Sequence, residues 1–597
     1  MHPRLEQRPE PTPPKLFDLH NFGHQDLALD ASSLSYNVTT PGNMSTNDFT
    51  SSQPFSHTEN EDQPCPHRRE IRLDEMEEEA VAEPDPEPLS QDEQAWEHAA
   101  SDSRDDAAIG ELVDDFTSLS VLAPLDTRII IAGPPVPYAG ALVPPSASCV
   151  ALPRTIGGRD AVGVVQRMID ADCRISLSFD DSSTASLSQT AQSRIECVIC
   201  YDPRSNDCLL MNEESTRVFV KQLSPPDGSR GDRFILPGRK LSPISTGIWR
   251  ISLDKDDHVQ HFVDVLLRPQ RFIVSGLNPS GTNIIHYPWE IQTMAIRDMD
   301  GTRTVQEDGM ESSYMLVKQR GWRSGSLLIK VVDCRHSALG CDVVVILYDP
   351  IMFRNDQDAV FQCAKLWKKH RQLGHELRHP NIVKMKSYDA RLHALYMEPP
   401  PPRLSLQRPV PAAVARAVLA DISAALVFLE ERQILHDDIS PHTVCYSAER
   451  GGVLSHFISA RDRTNTSYGG DGDWYCEPPE IRRENDGWER RRGPFNDVWS
   501  LGITMLLCTG KIEVPKRHEV PECVQCTFTK GTVDYRKWQN WFSKVSRVRD
   551  RLNVRNEVDM VIGRMLDPTV ESRITAAQIV SQLGSGGEGN VGADANV

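Results

Sequence analysis

The loop "ILHDDISPHTV", residues 434–444, places two adjacent carboxylates, Asp437 and Asp438, directly after His436. A carboxylate held in a loop can accept a proton from a substrate, which is general base catalysis. The same carboxylate can instead accept hydrogen bonds from nearby backbone amides and do no chemistry. Whether Asp438 is a catalytic base therefore depends on which other charged groups the fold brings to it.

Two Cys-x-x-Cys pairs are a second candidate for chemistry, because together they could supply four zinc ligands. The pairs are Cys197/Cys200 and Cys523/Cys526. They fall in separate predicted domains, and the first pair lies on an alternating apolar segment typical of a buried strand. We therefore predict core cysteines and no metal site. The scattered spacing of the 14 cysteines fits a reducing compartment.

The charge of the chain is concentrated in one segment. The formal net charge is -19, and residues 74–106 carry 14 acidic residues against one Arg. A chain this acidic is not expected to bind nucleic acid, since duplex binding requires Lys and Arg on the phosphates. The first residues show no secretory signal pattern, and no uncharged apolar run reaches about 18 residues, so we expect no membrane span.

The elements that position these residues divide the 597-residue chain into several parts, and we predict a multidomain protein. Residues 1–145 are rich in Pro, Ser and acidic residues, which predicts a disordered region. Short alternating runs at 146–280 predict an all-β sandwich. A linker at 281–312 then leads to an α+β region at 313–585, and a flexible tail at 586–597 follows.

The predicted sandwich contains the strand-like pieces "CRISLSF", "IECVICYD", "RVFVKQL" and "GIWRISL" in an order that resembles a forkhead-associated (FHA) domain. That family is a β-sandwich whose loops hold a phosphothreonine peptide. The resemblance implies phosphate contacts from Arg167, Ser193 and Arg217, with Arg159 as an alternative for the first Arg. Glu196 stands where the family has a His. A sandwich that has no phosphate pocket and mediates other contacts is an equally open reading.

The α+β region carries a longer series of ordered markers. They are three strand-like pieces ending in "CDVVVILYD", a helical stretch, "HPNIV" at 379–383, "EPPE" at 477–480, "DVWSLG" at 497–502 and Arg573. Their order and spacing resemble the eukaryotic protein kinase superfamily, which implies a bilobal α+β fold. The resemblance also implies a buried ion pair between Glu480 and Arg573 that anchors the activation segment.

Phosphoryl transfer depends on positioned charges, and the resemblance allows each position to be checked. Ile346 stands at the lysine position of the third strand, and His370 stands at the position of its glutamate partner. The glycine-rich loop retains only Gly321 and Gly325. Pro400 falls where a backbone N–H should meet adenine, and proline has no N–H.

In the catalytic loop the resemblance identifies Asp438 as the catalytic residue that remains. Asp437 replaces the family's Arg, which removes the usual receiver for an activation-loop phosphate. Thr443 replaces a metal-binding Asn, and His456 replaces the metal-binding Asp of the "DFG" motif. An imidazole is a poor ligand for Mg²⁺, which prefers oxygen ligands. We therefore expect no bound cofactor.

These replacements favour a pseudokinase that acts as a scaffold or allosteric regulator in intracellular phospho-signalling. One alternative is a divergent Ser/Thr kinase that uses ATP and Mg²⁺, with Asp438 as base and Lys330 substituting for the missing lysine. Another is a phosphothreonine-binding adaptor that works through the FHA-like domain. All three predict protein partners, with phosphothreonine-containing proteins among the candidates, and a cytoplasmic or nuclear location.

Overall fold

The computed structural model describes residues 106–584, except for residues 125–126, 136–137, 139–141, 144–147, 154, 180–192, 204, 225–230, 254–260, 271, 278–282, 285–301, 308–313, 320–322, 325–328, 350–356, 407, 464–472, 481–492 and 522–530. The acidic segment up to residue 105 and the predicted tail therefore lie outside the described residues.

The first described part is a helix followed by a β-sandwich. Its elements are α1 Asp106–Leu122, β1 Thr127–Ala132, β2 Cys149–Ala151, β3 Ala161–Val165, β4 Asp172–Phe179, β5 Ser193–Tyr201, β6 Cys208–Asn212, β7 Val218–Ser224, β8 Arg233–Leu236, β9 Leu241–Ile244, β10 Gly247–Ser252 and β11 Phe262–Leu267. One sheet has the order β2-β3-β1-β11-β10-β7-β8, and the other has the order β4-β5-β6-β9. An all-β sandwich is therefore present.

The sandwich core follows from strand alternation, because successive side chains of a strand point to opposite faces. On β4 the residues that enter the core are Cys173, Ile175, Leu177 and Phe179. They pack against side chains from the seven-stranded sheet, including Ile129 on β1. Strand β1 lies inside that sheet, and α1 packs on the sheet's outer side. The sandwich thus begins upstream of the predicted boundary at residue 146.

The second part, which we call the upper lobe, is a nine-stranded sheet with one helix. The strands are β12 Phe272–Leu277, β13 Asn283–Ile284, β14 Thr302–Glu307, β15 Tyr314–Lys318, β16 Arg323–Ser324, β17 Ile329–His336, β18 Cys341–Tyr348, β19 Met385–Asp389 and β20 Ala394–Met397, and the helix is α2 Gln357–Glu376. The sheet order is β13-β12-β14-β15-β17-β18-β20-β19, and β16 pairs with β17.

Strands β12 to β14 correct the predicted domain plan. The predicted sandwich at 146–280 includes the residues of β12, but β12 pairs with β14 in the upper-lobe sheet. Strand β14 in turn pairs with β15, although it lies within the predicted linker 281–312. The alternating pattern identified a strand correctly, but an alternating pattern does not encode which sheet the strand joins.

The third part, the lower lobe, is mainly helical. Its elements are α3 Ala412–Glu431, β21 Ile434–Leu435, β22 Val444–Ser447, β23 Gly451–Leu454, β24 Arg461–Asp462, α4 Pro494–Cys508, α5 Val533–Arg549, α6 Glu557–Met565 and α7 Ala576–Gly584. Helices α3 and α4 are apolar on several sides, which explains their position at the centre of the largest core. Strand β21 pairs with β24, and β22 pairs with β23.

Helix α3 is long and apolar enough to cross a membrane by length and composition alone, and the described residues hold one such helix. In the fold it packs within the lower lobe against α7, α4 and β23. Its buried side chains include Val418, Leu419 and Ile422. Core helices of globular proteins satisfy the same criterion, so its composition fits a core helix.

The first Cys-x-x-Cys pair lies on strand β5, as predicted from its alternating pattern. Cys197 points between the two sheets, whereas Cys200 points to the outer side of the four-stranded sheet. Burial raises the pKa of Cys197 to about 12. The two thiols therefore cannot ligate one ion, and the prediction of core cysteines is confirmed. Cys523 and Cys526 lie outside the described residues.

Candidate functional site

The candidate site lies where strand β18 and helix α2 of the upper lobe face the loop at 436–443 and the segment at 455–458. The first turn of α4 holds this loop, because Asp497 accepts hydrogen bonds from the backbone amides of His436 and Asp437 at 2.8 Å and 2.9 Å. Asp437 has a left-handed backbone, with φ of 61°. The two bonds stabilise the sharp turn that presents Asp438.

Thr443 holds the other end of this loop. Its hydroxyl lies 2.9 Å from the backbone oxygen of Asp438 and 3.2 Å from that of Ser440, and it accepts from the Ser440 amide at 3.0 Å. Thr443 therefore stabilises the loop through local hydrogen bonds. A hydroxyl that makes these contacts is a poor substitute for a metal-binding amide.

Asp438 lies near the segment that follows residue 472. Burial raises the pKa of Cys476 well above its usual value, and the carboxylate of Asp438 adds to that effect. Burial raises the pKa of Tyr475, Cys476 and Asp473 raise it further, and Asp438 makes a smaller contribution in the same direction. The carboxylate is thus positioned beside the lower-lobe segment, as a loop base would be, while its catalytic role stays a prediction.

Ile346 occupies an apolar environment at the lysine position. It lies on the face of β18 that points to α2, as do Val344 and Tyr348. The same apolar cluster includes Met397, at the end of β20, and Ile458, from the lower segment. Apolar side chains from both lobes therefore meet at the point where a kinase would hold the phosphates of ATP.

His370, on α2, makes a hydrogen bond to β18, the strand that carries Ile346. Its Nδ1 lies 2.6 Å from the hydroxyl of Tyr348, which is two residues after Ile346 on the same face of β18. His370 is buried, and burial lowers its pKa to about 3, with a further contribution from Lys369. The imidazole is therefore neutral at physiological pH. A tyrosine–histidine hydrogen bond therefore joins strand and helix, in place of the lysine–glutamate ion pair of the kinase family.

The segment "HFI" at 456–458 also lacks metal ligands of the required kind. His456 has a φ of 63°, and its Nδ1 lies 3.1 Å from the hydroxyl of Ser455. The ring of Phe457 packs edge-on against His436, with 4.8 Å between centroids. With an imidazole here and the Thr443 hydroxyl used by the loop, the donor set does not fit Mg²⁺.

Lys330 lies on the other face of the sheet. Strand pairing places Val331 opposite Ile346 and Lys330 opposite Leu347. Val331 and Ile346 face α2, whereas Leu347 belongs to the core on the far face. The ammonium group of Lys330 forms an ion pair with Asp349 at 3.0 Å. The structure therefore does not bring Lys330 to the site formed by Ile346 and His370.

The connection after β20 contains four consecutive prolines, residues 399–402. The Glu398 amide before them donates to the Lys384 oxygen at 2.9 Å, and the Pro402 oxygen accepts from the Tyr446 amide. Pro400 lies in this connection, as predicted, and its missing N–H leaves no backbone donor for a purine at that position. Gly321 and Gly325 lie outside the described residues.

The predicted ion pair between Glu480 and Arg573 is confirmed. The guanidinium of Arg573 contacts both carboxylate oxygens, at 2.6 Å and 3.0 Å, and its side chain is fully buried. It also donates to the Phe495 oxygen at 3.0 Å. A bidentate pair with buried partners is a strong, directional contact. It fixes the end of the activation segment to the lower lobe.

Sequence reasoning missed a second ion pair next to the catalytic loop. Arg461, on β24, lies 2.5 Å from the carboxylate of Asp437, and both side chains are buried. The two charges lie close enough to Lys369, on α2, to shift its pKa, which burial lowers first and Arg461 lowers further. The sequence did contain a signal, because an Asp in the place of an Arg suggests a partner of the opposite charge. Only the fold identifies that partner as Arg461.

The predicted phosphate-binding residues of the sandwich are not brought to one place. Ser193 pairs with Phe179 at the end of β4, whereas Arg167 precedes the start of β4. The backbone after Arg167 contacts the upper lobe, since the Met168 oxygen accepts from the Ala390 amide. Arg217 lies just before β7. The phosphate role of these residues stays a prediction that their placement does not favour.

Arg159, the alternative for the first Arg, and Glu196, at the family's His position, already make other contacts. Arg159 forms an ion pair with the buried carboxylate of Asp264 at 2.7 Å and donates to the Gly133 oxygen at 3.1 Å. Glu196 forms an ion pair with Arg194 at 2.7 Å. Arg159 therefore stabilises the seven-stranded sheet.

Comparison with known families adds one result. Residues 352–583 match the family model of the protein kinase domain. The match starts after β18, so the strands that carry Ile346 and Lys330 precede it, and it covers less than half of the chain. No curated protein matches the chain. The C-terminal part of this chain therefore contains a protein kinase domain, and the protein is kinase-like.

Proposed function

We propose that the kinase domain is catalytically inactive and serves as a binding platform, so that the protein acts as a scaffold or allosteric regulator in phospho-signalling. The observation that carries this proposal is that Ile346, Met397 and Ile458 pack against the apolar cluster between β18 and α2, where charged groups would hold Mg²⁺-ATP. Catalysis of phosphoryl transfer consists mainly of positioning and charge stabilisation, and an apolar site provides neither.

The neutral contact between His370 and Tyr348 supports the same conclusion, because it stabilises the helix against the strand without the charges that would bind phosphate. In the described part of the lower lobe, Glu480 and Arg573 form their buried pair, so the domain presents folded surfaces to partners. We propose that these partners are other proteins, and that the protein works in the cytoplasm or nucleus.

The divergent-kinase alternative needs Lys330 at the nucleotide site, and the placement of Lys330 on the opposite face of the sheet argues against it. The phosphothreonine-adaptor alternative needs Arg167 and Ser193 together, and they lie at opposite ends of the β4–β5 pairing. Neither alternative gains support from a contact in the described residues.

Phosphate transfer in the purified full chain tests the proposal. We would incubate the protein with ATP and either Mg²⁺ or Mn²⁺, and measure its intact mass and its thermal unfolding. We expect no added phosphate and no shift in unfolding temperature, whereas a ligand at about 100 times its Kd would stabilise the folded state by about 2.7 kcal/mol. Phosphate incorporation that is lost in Asp438→Asn would overturn the proposal.

A further inference from the structure

Two sides of helix α2 are buried: one packs against the upper-lobe sheet, and the other packs against the sandwich. One side of the helix packs on the upper-lobe sheet through residues that include Cys363 and Trp367. Val360 and Phe361, near the start of the helix, pack instead against the outer side of the four-stranded sheet. The residues of that sheet in the contact are Val198, Cys200, Leu209 and Met211.

Polar contacts continue along the same helix. Lys368 forms an ion pair with Asp172, the first residue of β4. One turn of the helix further on, Arg371 donates to the backbone oxygen of Ile169 at 2.6 Å. Apolar contacts, an ion pair and a hydrogen bond therefore join the sandwich to α2 from the first turns of the helix to Arg371. A specific interface is expected to combine an apolar centre with polar contacts at its edge in this way.

The segment before β4 extends the contact beyond the helix. The Met168 oxygen accepts a hydrogen bond from the Ala390 amide, between β19 and β20, at 2.8 Å. Ala171 packs among the residues of the helix that face the sheet, and Met168 packs against the sheet's other face. The sandwich therefore contacts both the helix and the strands that the helix covers.

We propose that the sandwich is a built-in regulatory partner of the kinase domain, which holds α2 against the upper lobe by occupying the outer side of the helix. The apolar patch at Leu209 provides the main contact, and the pairing of Asp172 with Lys368 sets the position of the sandwich along the helix. Because α2 carries His370 to Tyr348, release of the sandwich loosens the candidate site. The inference does not depend on whether the domain is inactive.

The arrangement has a consequence for partners. The outer side of α2 is occupied within the chain, so a second protein can reach it only after the sandwich moves. Binding of a partner to the sandwich can in this way be transmitted to the upper lobe without any ligand at the nucleotide site. The four-stranded sheet then serves as the coupling surface, and the binding energy of the partner must exceed the contacts that are lost.

Hydrogen exchange of the full chain tests the proposal. In Leu209→Asp, a carboxylate enters the apolar contact, and we expect amides of residues 360–371 to exchange roughly tenfold faster, since their protection depends on local contacts. Amides of α3, in the lower lobe, serve as an internal reference and should not change. Arg174→Ala is the matched control, because Arg174 lies on the same side of the sheet but pairs with Glu196 and Glu213.

Three further variants keep the result decisive if Leu209→Asp unfolds the sandwich. Phe361→Asp approaches the same contact from the helix, where the side chain is only partly buried. Asp172→Lys should speed exchange of α2, and adding Lys368→Asp should return it toward the wild-type rate. Unchanged exchange of α2 in Phe361→Asp, while the sandwich amides stay protected, would overturn the proposal. So would an absence of any rescue in the charge-exchanged pair.

Discussion

Relative to the kinase pattern that the sequence resembles, the anchoring contacts of the lower lobe are kept, whereas the nucleotide-facing contacts of the upper lobe are replaced. In the lower lobe, Arg573 pairs with Glu480, as the resemblance to kinases implies, and Asp497 holds the catalytic loop. In the upper lobe, the corresponding charged pair is replaced by Ile346 and by a neutral His370. Charges that support the fold are present, while the charged pair that would bind the phosphates is not.

This difference shows that the two sets of charges have separate physical roles. A buried ion pair such as Glu480 with Arg573 cannot lose one partner without leaving an uncompensated charge. Once its glutamate partner is absent, a phosphate-binding lysine forms no ion pair within the protein. An apolar side chain at its position instead buries apolar surface. The fold can therefore keep its anchors while its nucleotide site becomes apolar.

The largest effect is expected at the lower-lobe anchor. Arg573→Ala leaves Glu480 without its bidentate partner, and loss of one member of a buried pair costs about 3–5 kcal/mol of unfolding free energy. Denaturant unfolding of the full chain, followed by tryptophan fluorescence, measures the loss. Arg335→Ala is the control, because its pair with Asp342 is exposed and worth less than about 1 kcal/mol. Equal losses of unfolding free energy in the two variants would show that the buried pair stabilises the fold no more than an exposed pair.

A smaller loss of unfolding free energy is expected when the ion pair of Asp437 and Arg461, beside the catalytic loop, is broken. Asp437→Asn keeps a residue type that tolerates the left-handed backbone but removes the charge that Arg461 contacts. We expect a loss of about 2 kcal/mol in unfolding free energy, typical of a hydrogen bond to a charged group.

A double-mutant cycle with Arg461→Met isolates this interaction. The double variant should cost less than the sum of the single variants. Strict additivity would mean that the two side chains do not stabilise each other.

The neutral histidines predict a dependence of stability on pH. Burial lowers the pKa of His370 to about 3 and that of His436 to about 4, below the ordinary value of 6.5. Below pH 6.5 the unfolded chain therefore binds protons that the folded chain does not. The contribution of these histidines to the unfolding free energy should be fully present above this pH. Below it, the unfolding free energy should decrease by about 1.4 kcal/mol per pH unit for each histidine.

His370→Gln tests the contribution of the upper lobe to this slope. Glutamine does not titrate, so the decrease between pH 6.5 and pH 4.5 should become shallower than in the wild type. Unfolding free energies measured at a series of pH values give the slope directly. An unchanged slope would show that His370 is not held neutral by burial.

The smallest effect is expected at Lys330. Lys330→Met removes the partly exposed ammonium group that pairs with the buried carboxylate of Asp349, and we expect a loss of about 1 kcal/mol in unfolding free energy, the lower end for a buried acceptor that loses one partner. Because the side chain lies on the face away from Ile346, ATP should have the same effect on thermal unfolding in the variant and the wild type. Nucleotide stabilisation of the wild type that disappears in the variant would restore the divergent-kinase reading.

Sequence reasoning identified the order of the kinase-like elements, and the match to the kinase family supports it. It also identified the buried pair of Glu480 and Arg573, because the residue types and motif order are specific. It placed β12 in the wrong sheet, and it treated β14 as a linker. Alternation reveals that a segment is a strand, but hydrogen bonding to a distant segment decides its neighbours.

The sequence by itself determined which catalytic residue types are absent, since Ile346, His370 and His456 are read directly at their motif positions. Only the tertiary structure decided what these residues contact: an apolar cluster at Ile346, a tyrosine at His370, and Arg461 at Asp437. It also decided that the sandwich lies against α2. The physical reason is that residue types follow from local chemistry, whereas partners are set by contacts between segments far apart in the chain.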